Sequence, residues 1–514
     1  MPKIEETLNE VSLKYILNTE ELEVLKKYPI FKNSEDNEFC YDKNELLLKF
    51  VSLAIDKFKE LKDDILVKCL NWVQNELQMN LELKPDLYSL NKVEKMEKSK
   101  PSVQIKIGWL KEFSSLSKEN HIFNMIGKRL RRNVRCSLSS KIGINKEGKN
   151  KDKKQKLKKG ISGNISFSSS SILMKLSEEE NYNIENENFN IFEFEKKIGK
   201  EHILPALGVY VLQFYGLFDG SVPYNQFEHF VYEIANGYHR ENPYHTDLHA
   251  ADMLQSIFVY NIYSHFQTIL NLSEIDLLSM FISAIIHDYG HPGLNNNFLI
   301  KTKDNLAIKY NDISVLENYH VSEAFNIILK KEDNNIFEYL SDDDYKICRK
   351  NIIECVLGTD MTLHNSKYQT FKRRLQTENI KKGEGLDKFF LKQDPINLYN
   401  LKLEFLSFII HAADISNPTK PLPIFQEWGQ RCVEEFFKQG DLEKKMGIPV
   451  SFNCDRNSVS LPKSQLGFMS VIVSPLFTVF NEYFPKLSFT LDNLKKNYEY
   501  YKGVVEEEDK NNTK

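Results

Sequence analysis

Histidines and carboxylates that could bind a metal ion recur in the second half of this sequence. His245 and His249 stand four residues apart, so they would share one face of a helix. His287 and Asp288 are adjacent and follow an apolar stretch, residues 277–286, typical of a buried helix. A buried histidine and carboxylate side by side are costly unless they are hydrogen-bonded, paired or bound to a metal. The residue types and spacing therefore indicate a buried metal site, with one hydrogen-bonded core histidine and a turn-forming aspartate as the alternative.

Two further places supply candidate ligands. Asp414 follows another apolar stretch, residues 403–410, and Glu317 stands three residues before His320. By itself, an aspartate before Ser-Asn-Pro is usually a capping or turn residue. Together, imidazoles and carboxylates suit zinc or a similar divalent ion, while a shell of carboxylate and water suits magnesium or manganese. The sequence contains no His-Glu-x-x-His, which argues against a metalloprotease.

Helices must position these residues. From about residue 188 to 503 helical apolar patterns follow one another, with short turns between them. Neither alternating strands nor a glycine-rich phosphate loop is evident, so the pattern predicts an all-α fold. The predicted organisation is a smaller helical N-terminal region (1–136), a disordered linker (137–181), a compact multi-helix domain (182–507) and a polar tail (508–514).

The first 181 residues differ in composition from the rest. Residues 44–79 follow an amphipathic helical pattern, and this helix either packs within its own domain or serves in dimerisation or docking. Residues 141–171 are rich in Lys, Asn and Ser and cannot bury enough apolar surface to fold, which predicts the linker. Contact of its lysines with an anionic membrane and phosphorylation at Ser137 and Ser139 are the alternatives to a simple tether.

The overall composition limits which cellular compartment and which classes of binding partner we expect. The 514 residues carry a net charge of -4, which gives no reason to expect nucleic acid binding. Seven scattered cysteines without a C-x-x-C pair fit a reducing compartment rather than a disulfide framework or a cysteine-based zinc site. The polar N-terminus is not a secretory signal, and the longest apolar tracts, 203–218 and 466–480, are shorter than the ~20 residues of a membrane span. We therefore expect a soluble, cytoplasmic protein in which both tracts are core helices, with membrane association only through an anchor outside this chain or through the Lys-rich linker.

The motifs around the candidate ligands resemble those of the class I 3',5'-cyclic nucleotide phosphodiesterases. The matching segments are YHxxxHAxD from Tyr244, HDxxHPGxxNxF from His287, YNDxSVLEN from Tyr310, TDM from Thr359, ADISNPTKP from Ala413, EEFFxQGD from Glu434 and SQxGF from Ser464. Their order and spacing match throughout residues 190–500, and no match is found before Phe189. The resemblance implies an all-helical, HD-type domain that hydrolyses cyclic AMP, cyclic GMP or both to the 5'-monophosphate.

The resemblance also assigns a metal centre. It implies a first ion, zinc, bound by His249, His287, Asp288 and Asp414, and a second, magnesium or manganese, that shares Asp288. His291, Glu317 and Thr359 would hold the water shell of the second ion, and Asp360 would orient ligands. Two divalent ions can activate a water and clamp a phosphoryl group for in-line attack. His245 would then be the general acid that protonates the departing 3'-oxygen.

For the substrate, the resemblance implies a purine pocket formed by Tyr244, Asn417, Cys432, Gln465 and Phe468. Gln465 would recognise the base and Phe468 would stack on it, although both could instead cap and pack a helix. Because a glutamine amide offers a donor and an acceptor, Gln465 does not decide between adenine and guanine. Cys432 departs from the family pattern, which usually has a branched aliphatic residue there. Thr246 and Gly290 also depart from it, at positions where activity should tolerate a change.

Two other functions stay open on the sequence. A helical His-Asp metallohydrolase acting on noncyclic nucleotides would need the metal ligands but would have no use for Gln465 and Phe468. A regulator that binds cyclic nucleotide without hydrolysis would not need a general acid. Beyond the cyclic nucleotide, the expected partners are a second copy of the chain or a regulatory protein that binds the N-terminal helices.

Overall fold

The computed structural model describes residues 183–512, and this part of the chain is helical. No strand occurs within it, which confirms the predicted all-α fold. The predicted N-terminal region with its amphipathic segment 44–79, and the predicted linker 137–181, lie outside the described residues. At the other end, the last helix continues to Asn512, so residues 508–512 of the predicted polar tail are helical.

The α-helices of the described part are numbered here in chain order. They are α1 (Ile191–Ile198), α2 (Ile203–Phe214), α3 (Tyr224–Gly237), α4 (Asp247–Ser264), α5 (Phe266–Ile269), α6 (Glu274–Ile286), α7 (Asn296–Lys301), α8 (Asn305–Tyr310), α9 (Val315–Lys330), α10 (Asp342–Leu357), α11 (His364–Thr377), α12 (Leu386–Leu391), α13 (Pro395–Asp414), α14 (Leu422–Lys445), α15 (Leu461–Phe468), α16 (Ser474–Tyr483) and α17 (Ser488–Asn512). Short 3-10 turns connect several of them, including Met361–Leu363 and Asn417–Thr419.

Local sequence fixes where the helices that carry the candidate ligands begin. In α6, Ser273 and Asp276 form a capping box, in which each side chain bonds the backbone N–H of the other. In α13, the side chain of Asp394 accepts from two backbone N–H groups and Pro395 occupies the first turn. Both helices then run into the interior, since residues 276–286 of α6 and 405–413 of α13 are buried. Each helix therefore delivers its C-terminal polar residues to the centre of the domain.

The main core surrounds α4. This helix contacts α2, α6 and α13, and nearly all its residues are buried, polar ones included. A smaller apolar cluster lies beneath α7, α8 and the start of α9, with Phe298 and Val315 at its centre. Because α4 is enclosed on all sides, its polar residues need partners within the protein.

The two long apolar tracts are core helices, as predicted. The tract that begins at residue 203 forms α2, whose buried residues include Pro205. Among the described residues, one helical stretch, Leu461–Tyr483, is long and apolar enough to cross a membrane. It comprises α15, a π-helical turn (Met469–Val473) and α16, and 61% of its most apolar window is buried inside the domain. Such burial is characteristic of a core helix.

Candidate active site

The four residues predicted to bind the first metal converge at the ends of three helices. His249 lies in the first turns of α4, His287 and Asp288 directly follow α6, and Asp414 is the last residue of α13. Their ligand atoms all lie within 4.8 Å of one another. The Nε2 of His249 is 3.0 Å from Oδ1 of Asp414, and the Nε2 of His287 is 3.0 Å from Oδ2 of Asp288. The chain thus brings together residues as far apart in sequence as 249 and 414.

This cluster fits a divalent cation. The Nδ1 of His287 lies 3.0 Å from the carbonyl oxygen of Ala284 and is placed to donate to it. With Nδ1 engaged in this way, Nε2 is buried beside two carboxylates and makes no hydrogen bond to either of them. A lone pair facing carboxylate oxygens is electrostatically unfavourable unless a proton or a cation lies between them. Two imidazole nitrogens and two carboxylate oxygens at these distances form the type of donor set that binds zinc.

The electrostatics of the cluster agree with this requirement. Burial tends to raise the pKa of Asp288, but the neighbouring His287 and His245 outweigh burial and hold it well below its usual range. For His287, burial favours the neutral ring, yet the carboxylates of Asp288 and Asp414 raise its pKa well above its usual range. Both carboxylates are therefore anionic, and they attract whatever positive charge the site can hold.

A second group of candidate residues adjoins Asp288 on its other side. Ligand atoms of Asp288, His291 and His320 lie within 4.8 Å of one another, and Oδ1 of Asp288 is 3.7 Å from Nε2 of His320. Glu317 accepts from the Nδ2 of Asn296 at 3.0 and 3.2 Å. Burial and the charges of Asp360 and Asp288 raise the pKa of Glu317 to about 8. A second cation here would offset the repulsion among these carboxylates.

The two remaining residues predicted for the metal centre are held by their own neighbours. The hydroxyl of Thr359 is buried and donates to the carbonyl of Val356 at 2.8 Å. Asp360 accepts from Ser314 at 2.6 Å and from the backbone N–H of Thr362 at 2.9 Å. Ser314 has a positive φ of 42°, a conformation that is rare without glycine. The loop before α9 is thus fixed onto the turn that carries Thr359 and Asp360.

The predicted general acid, His245, lies at the edge of the metal cluster. Its Nε2 is 4.0 Å from Oδ2 of Asp288, and its ring stacks on that of His291 with centroids 3.9 Å apart. On its other side, Nδ1 contacts the carboxylate of Glu435 from α14. Burial favours the neutral imidazole, but Glu435 and Asp288 outweigh burial and raise the pKa of His245 to about 9. The imidazolium can therefore hold a proton beside the metal cluster at neutral pH.

Sequence reasoning listed His320 as a candidate ligand beside Glu317 without assigning it a role, and it gave no role to Glu435 or Asn296. Glu435 is buried, and besides His245 it accepts from the backbone N–H groups of Tyr244 and His245 at 2.9 and 3.0 Å. The EEFFxQGD segment contains Glu435, and an acidic residue on the buried side of an amphipathic helix was a signal that could have identified it. Asn296, which bonds Glu317, likewise belongs to a matching segment.

The predicted purine-binding residues are Tyr244 and Asn417, which contact each other, and three residues of α14 and α15. The hydroxyl of Tyr244 donates to Oδ1 of Asn417 at 2.5 Å. Gln465 of α15 is buried and packs against Gly429 of α14, where an added Cβ would lie 3.5 Å from the amide. Cys432, one turn further along α14, and Phe468 at the end of α15 are half-buried at the margin of the main core. Burial raises the pKa of the Cys432 thiol, so it stays protonated.

The helical fold and the buried His-Asp cluster define an all-α domain with a candidate metal centre, and comparison with known proteins specifies the family. Residues 244–494 match the family model of 3'5'-cyclic nucleotide phosphodiesterases. This part of the chain is a catalytic domain of the class I 3',5'-cyclic nucleotide phosphodiesterase family, as the motifs indicated.

Individual relatives agree with this assignment. The chain is 39% identical over 298 residues to the probable 3',5'-cyclic phosphodiesterase pde-1 of Caenorhabditis elegans, covering 57% of this chain and 41% of that protein. It is 36% identical over 285 residues to the 3',5'-cyclic-AMP phosphodiesterase, isoform F, of Drosophila melanogaster, covering 55% and 41%. The crystal structure of the phosphodiesterase domain of the RhoPDE fusion protein from the choanoflagellate Salpingoeca rosetta superposes with a TM-score of 0.57 at 29% identity, covering 66% of this chain and 99% of that one. The chain thus spans less than half the length of the curated relatives it matches.

Proposed function

We propose that this domain hydrolyses 3',5'-cyclic nucleotides to 5'-nucleoside monophosphates and so ends cyclic nucleotide signals. The observation that carries the proposal is the position of His245, whose Nε2 lies 4.0 Å from the carboxylate shared by both predicted metal sites. A proton donor so close to two cation sites suits a reaction in which a phosphate ester bond breaks and its oxygen needs a proton. The Drosophila melanogaster relative is named a 3',5'-cyclic-AMP phosphodiesterase, which supports the same reaction.

The metal part of the proposal assigns His249, His287, Asp288 and Asp414 to a zinc ion. A magnesium or manganese ion would share Asp288, with His291, Glu317 and Thr359 around its water shell. When bound, such ions lower the pKa of a water to near neutrality and neutralise charge on the phosphate. The anionic state of Asp288 and Asp414, and the Nε2 of His287 that faces both carboxylates, support binding of the first ion.

The protein's own side chains deliver a proton to the departing oxygen and orient the residue that donates it. In the proposed reaction the oxygen of a water bonds to phosphorus as that water gives up a proton, and the bond from phosphorus to the 3'-oxygen breaks. His245 gives its proton to the departing 3'-oxygen, and the proton released by the water balances this loss. Glu435 holds the imidazole from the opposite side, so the ring presents Nε2 to the reacting phosphate. Because Glu435 also accepts from the backbone of Tyr244 and His245, it fixes the position of the acid as well as its charge.

For the purine, we propose that Gln465 bonds the base between Phe468 and Cys432, with Asn417 and Tyr244 near its edge. Among residues 183–512, no protein group forms a hydrogen bond with the Gln465 amide. Its donor and its acceptor can therefore exchange places to suit either adenine or guanine. Cyclic AMP and cyclic GMP are both proposed substrates, and the smaller Cys432 gives the base a looser fit than a branched aliphatic residue would.

The test is the initial rate of hydrolysis by the full chain with magnesium or manganese, using cyclic AMP, cyclic GMP and a noncyclic nucleoside triphosphate. We expect turnover of cyclic nucleotides alone and a loss of about 10²- to 10⁴-fold in His245→Ala. His229→Ala, which removes an exposed histidine of α3, is the matched control and should keep full activity. Hydrolysis of the triphosphate instead would support the broader His-Asp hydrolase function. Tight binding of cyclic nucleotide without turnover would support a regulator.

The proposal also covers the cellular location of the enzyme and the role of its N-terminal region. We propose a cytoplasmic enzyme whose first 181 residues regulate or target it, through dimerisation or a partner protein. Fractionation of cells that express the full chain, and size determination of that chain, test the two parts separately.

A further inference from the structure

A buried ion pair joins the metal-binding helix to the turn that carries Asn417. The Nζ of Lys420 lies 2.9 Å from Oδ1 of Asp252, and both side chains are almost fully buried. Asp252 stands three residues after His249 in α4, and Lys420 directly follows the 3-10 turn Asn417–Thr419. Lysine is rarely buried without an anionic partner, so this pair constrains where the turn can lie.

The next turn of α4 extends this contact. The Oε1 of Gln255 accepts from Nζ of Lys420 at 3.3 Å. The Nε2 of the same amide donates to the carbonyls of Ile184 and Asn186 at 3.0 and 3.2 Å. Lys420 therefore receives two acceptors from α4, and the backbone of residues 184–186 fixes the orientation of one of them.

From the opposite side, α17 holds the same turn. The Nδ2 of Asn497 donates to the carbonyls of Pro418 and Lys420 at 2.9 and 2.8 Å, and Asn493 donates to the carbonyl of Thr419 at 3.1 Å. A cavity of only about 10 Å³ separates the turn from α4, so there is little room for it to shift. The turn is thus clamped between two helices, and Lys420 supplies the contact with α4.

Asn417 depends on that clamp. It is the first residue of the turn, and its Oδ1 accepts from Tyr244, the residue before His245. The backbone position of the turn consequently sets where the Asn417 amide lies in the purine pocket. Neither Lys420 nor Asp252 is among the four metal-cluster ligands or the proposed purine-binding residues.

We propose that Lys420 is a positioning residue of the purine pocket, which acts through Asn417 by pairing with Asp252. This inference rests on the proposed function, because it concerns how the same site holds its cyclic nucleotide. It specifies substrate binding rather than proton transfer as the step that the buried pair supports. Loss of the pair should therefore weaken binding of the purine and leave the chemical step largely unchanged.

The experiment compares the full-length protein with Lys420→Met, which keeps the apolar stem and removes the charge. We expect KM for cyclic AMP and cyclic GMP to rise about tenfold, a typical effect of a supporting residue, while kcat stays within about threefold. In an Asn417→Ala background the same substitution should add less than about a twofold effect, because its route of action is already gone. Lys402→Met is the matched control, since Lys402 pairs with Asp276 in the first turn of α6, at the opposite end of that helix from His287.

Lys420→Met leaves Asp252 as an unpaired buried anion, which can prevent folding. The double variant Asp252→Asn with Lys420→Met removes that anion, and we expect it to fold and to show the same rise in KM. An unchanged KM, a fall in kcat alone, or additivity with Asn417→Ala would overturn the inference.

A binding measurement distinguishes a failure of this inference from a failure of the proposed function. Calorimetric titration of cyclic AMP into His245→Ala, with and without Lys420→Met, measures the dissociation constant without turnover, and we expect a rise of about tenfold. If the wild-type protein fails to hydrolyse cyclic nucleotides but this rise is seen, the proposed reaction is wrong and the role of Lys420 stands. If hydrolysis is normal and the dissociation constant does not change, the role of Lys420 is wrong.

Discussion

The carboxylate of Glu435 contacts Nδ1 of His245 and at the same time accepts the backbone N–H of that histidine at 3.0 Å. One buried acid therefore sets both the position and the charge of the proposed proton donor. Burial alone would favour the neutral ring, and Glu435 with Asp288 raises the pKa of His245 to about 9. The two residues are 190 positions apart in the chain and meet because α14 packs beside the start of α4.

This contact predicts a change in the pH profile of kcat/KM. A general acid works while it is protonated, so activity is lost as pH rises through the pKa of His245. In Glu435→Gln the anion is gone, and the alkaline limb should move from near pH 9 towards neutrality, with kcat lower by about 10- to 100-fold at pH 8. Rates between pH 6 and 10 measure the limb. Glu434→Gln, a partly exposed neighbour paired with Arg456, should leave it in place, and an equal shift in both variants would contradict the role of Glu435.

Asp414 and Asp394 stand at opposite ends of α13 and permit a matched test of the first metal site. Asp414→Ala removes a predicted ligand, so we expect loss of one tightly bound metal per chain and of nearly all turnover. Asp394→Ala removes only the exposed cap and should cost about 1 kcal/mol of stability with metal content unchanged. Metal analysis by mass spectrometry, together with thermal unfolding, reports both effects. Retention of the tightly bound metal in Asp414→Ala would show that the site lies elsewhere.

Gly237 leaves space for the ring of Tyr289, which follows Asp288, the residue proposed to bind both metal ions. A Cβ at residue 237 would lie 2.2 Å from the ring and 2.3 Å from its hydroxyl. Gly237→Ala should therefore displace Tyr289 and cost about 1–3 kcal/mol of unfolding free energy, together with a loss of activity. Adding Tyr289→Ala should relieve the clash and recover part of the activity.

A second glycine serves as the control for this prediction. Gly503 lies inside α17 with nothing within 4 Å of an added Cβ. Gly503→Ala should stabilise the protein by up to about 1 kcal/mol, because alanine favours the helix. Urea denaturation of the variants gives all these values, and a Gly237→Ala protein as stable as the wild type would refute the packing argument.

A buried histidine pair predicts loss of stability in acid. The Nδ1 of His364 lies 3.0 Å from Nε2 of His411, and burial lowers the pKa of His364 to about 4. The unfolded chain binds a proton near pH 6.5 and the native state resists it, so the stability from this residue is fully present above pH 6.5 and is lost as pH falls towards 4. Between pH 7.5 and 5.5, His364 should account for a loss of about 1.4 kcal/mol.

Replacement of this histidine isolates its share of the acid sensitivity. His364→Gln keeps a polar group beside His411 but does not titrate, so its loss of stability between pH 7.5 and 5.5 should be smaller than that of the wild type by about 1.4 kcal/mol. His229→Gln, at an exposed position, should show the wild-type loss. Denaturant unfolding at the two pH values measures the difference. Equal losses in all three proteins would mean that His364 is protonated without penalty in the folded state.

Much of the site follows from local sequence. The apolar runs before His287 and Asp414 predicted buried helices that end in polar residues, and α6 and α13 have this form. The four-residue spacing of His245 and His249 was less informative than it looked. His245 lies just before α4 begins, so the two rings do not share a helical face, and their planes are nearly perpendicular. The side chain of His249 therefore lies in the His-Asp cluster, whereas that of His245 contacts Glu435.

The sequence by itself determined the helical class, the family and the residue types of the His-Asp cluster, because these depend on periodicity and on motifs of a dozen residues or fewer. Only the tertiary structure decided which residues pair with the proposed general acid and with Lys420. Glu435 is 190 residues from His245, and Lys420 is 168 residues from Asp252. Spacing along the chain carries no information about contacts at such separations, since they arise from how whole helices pack around a shared core. Because these residues are buried, each charged group needs its partner: an unpaired charge in that core would strongly destabilise the folded state.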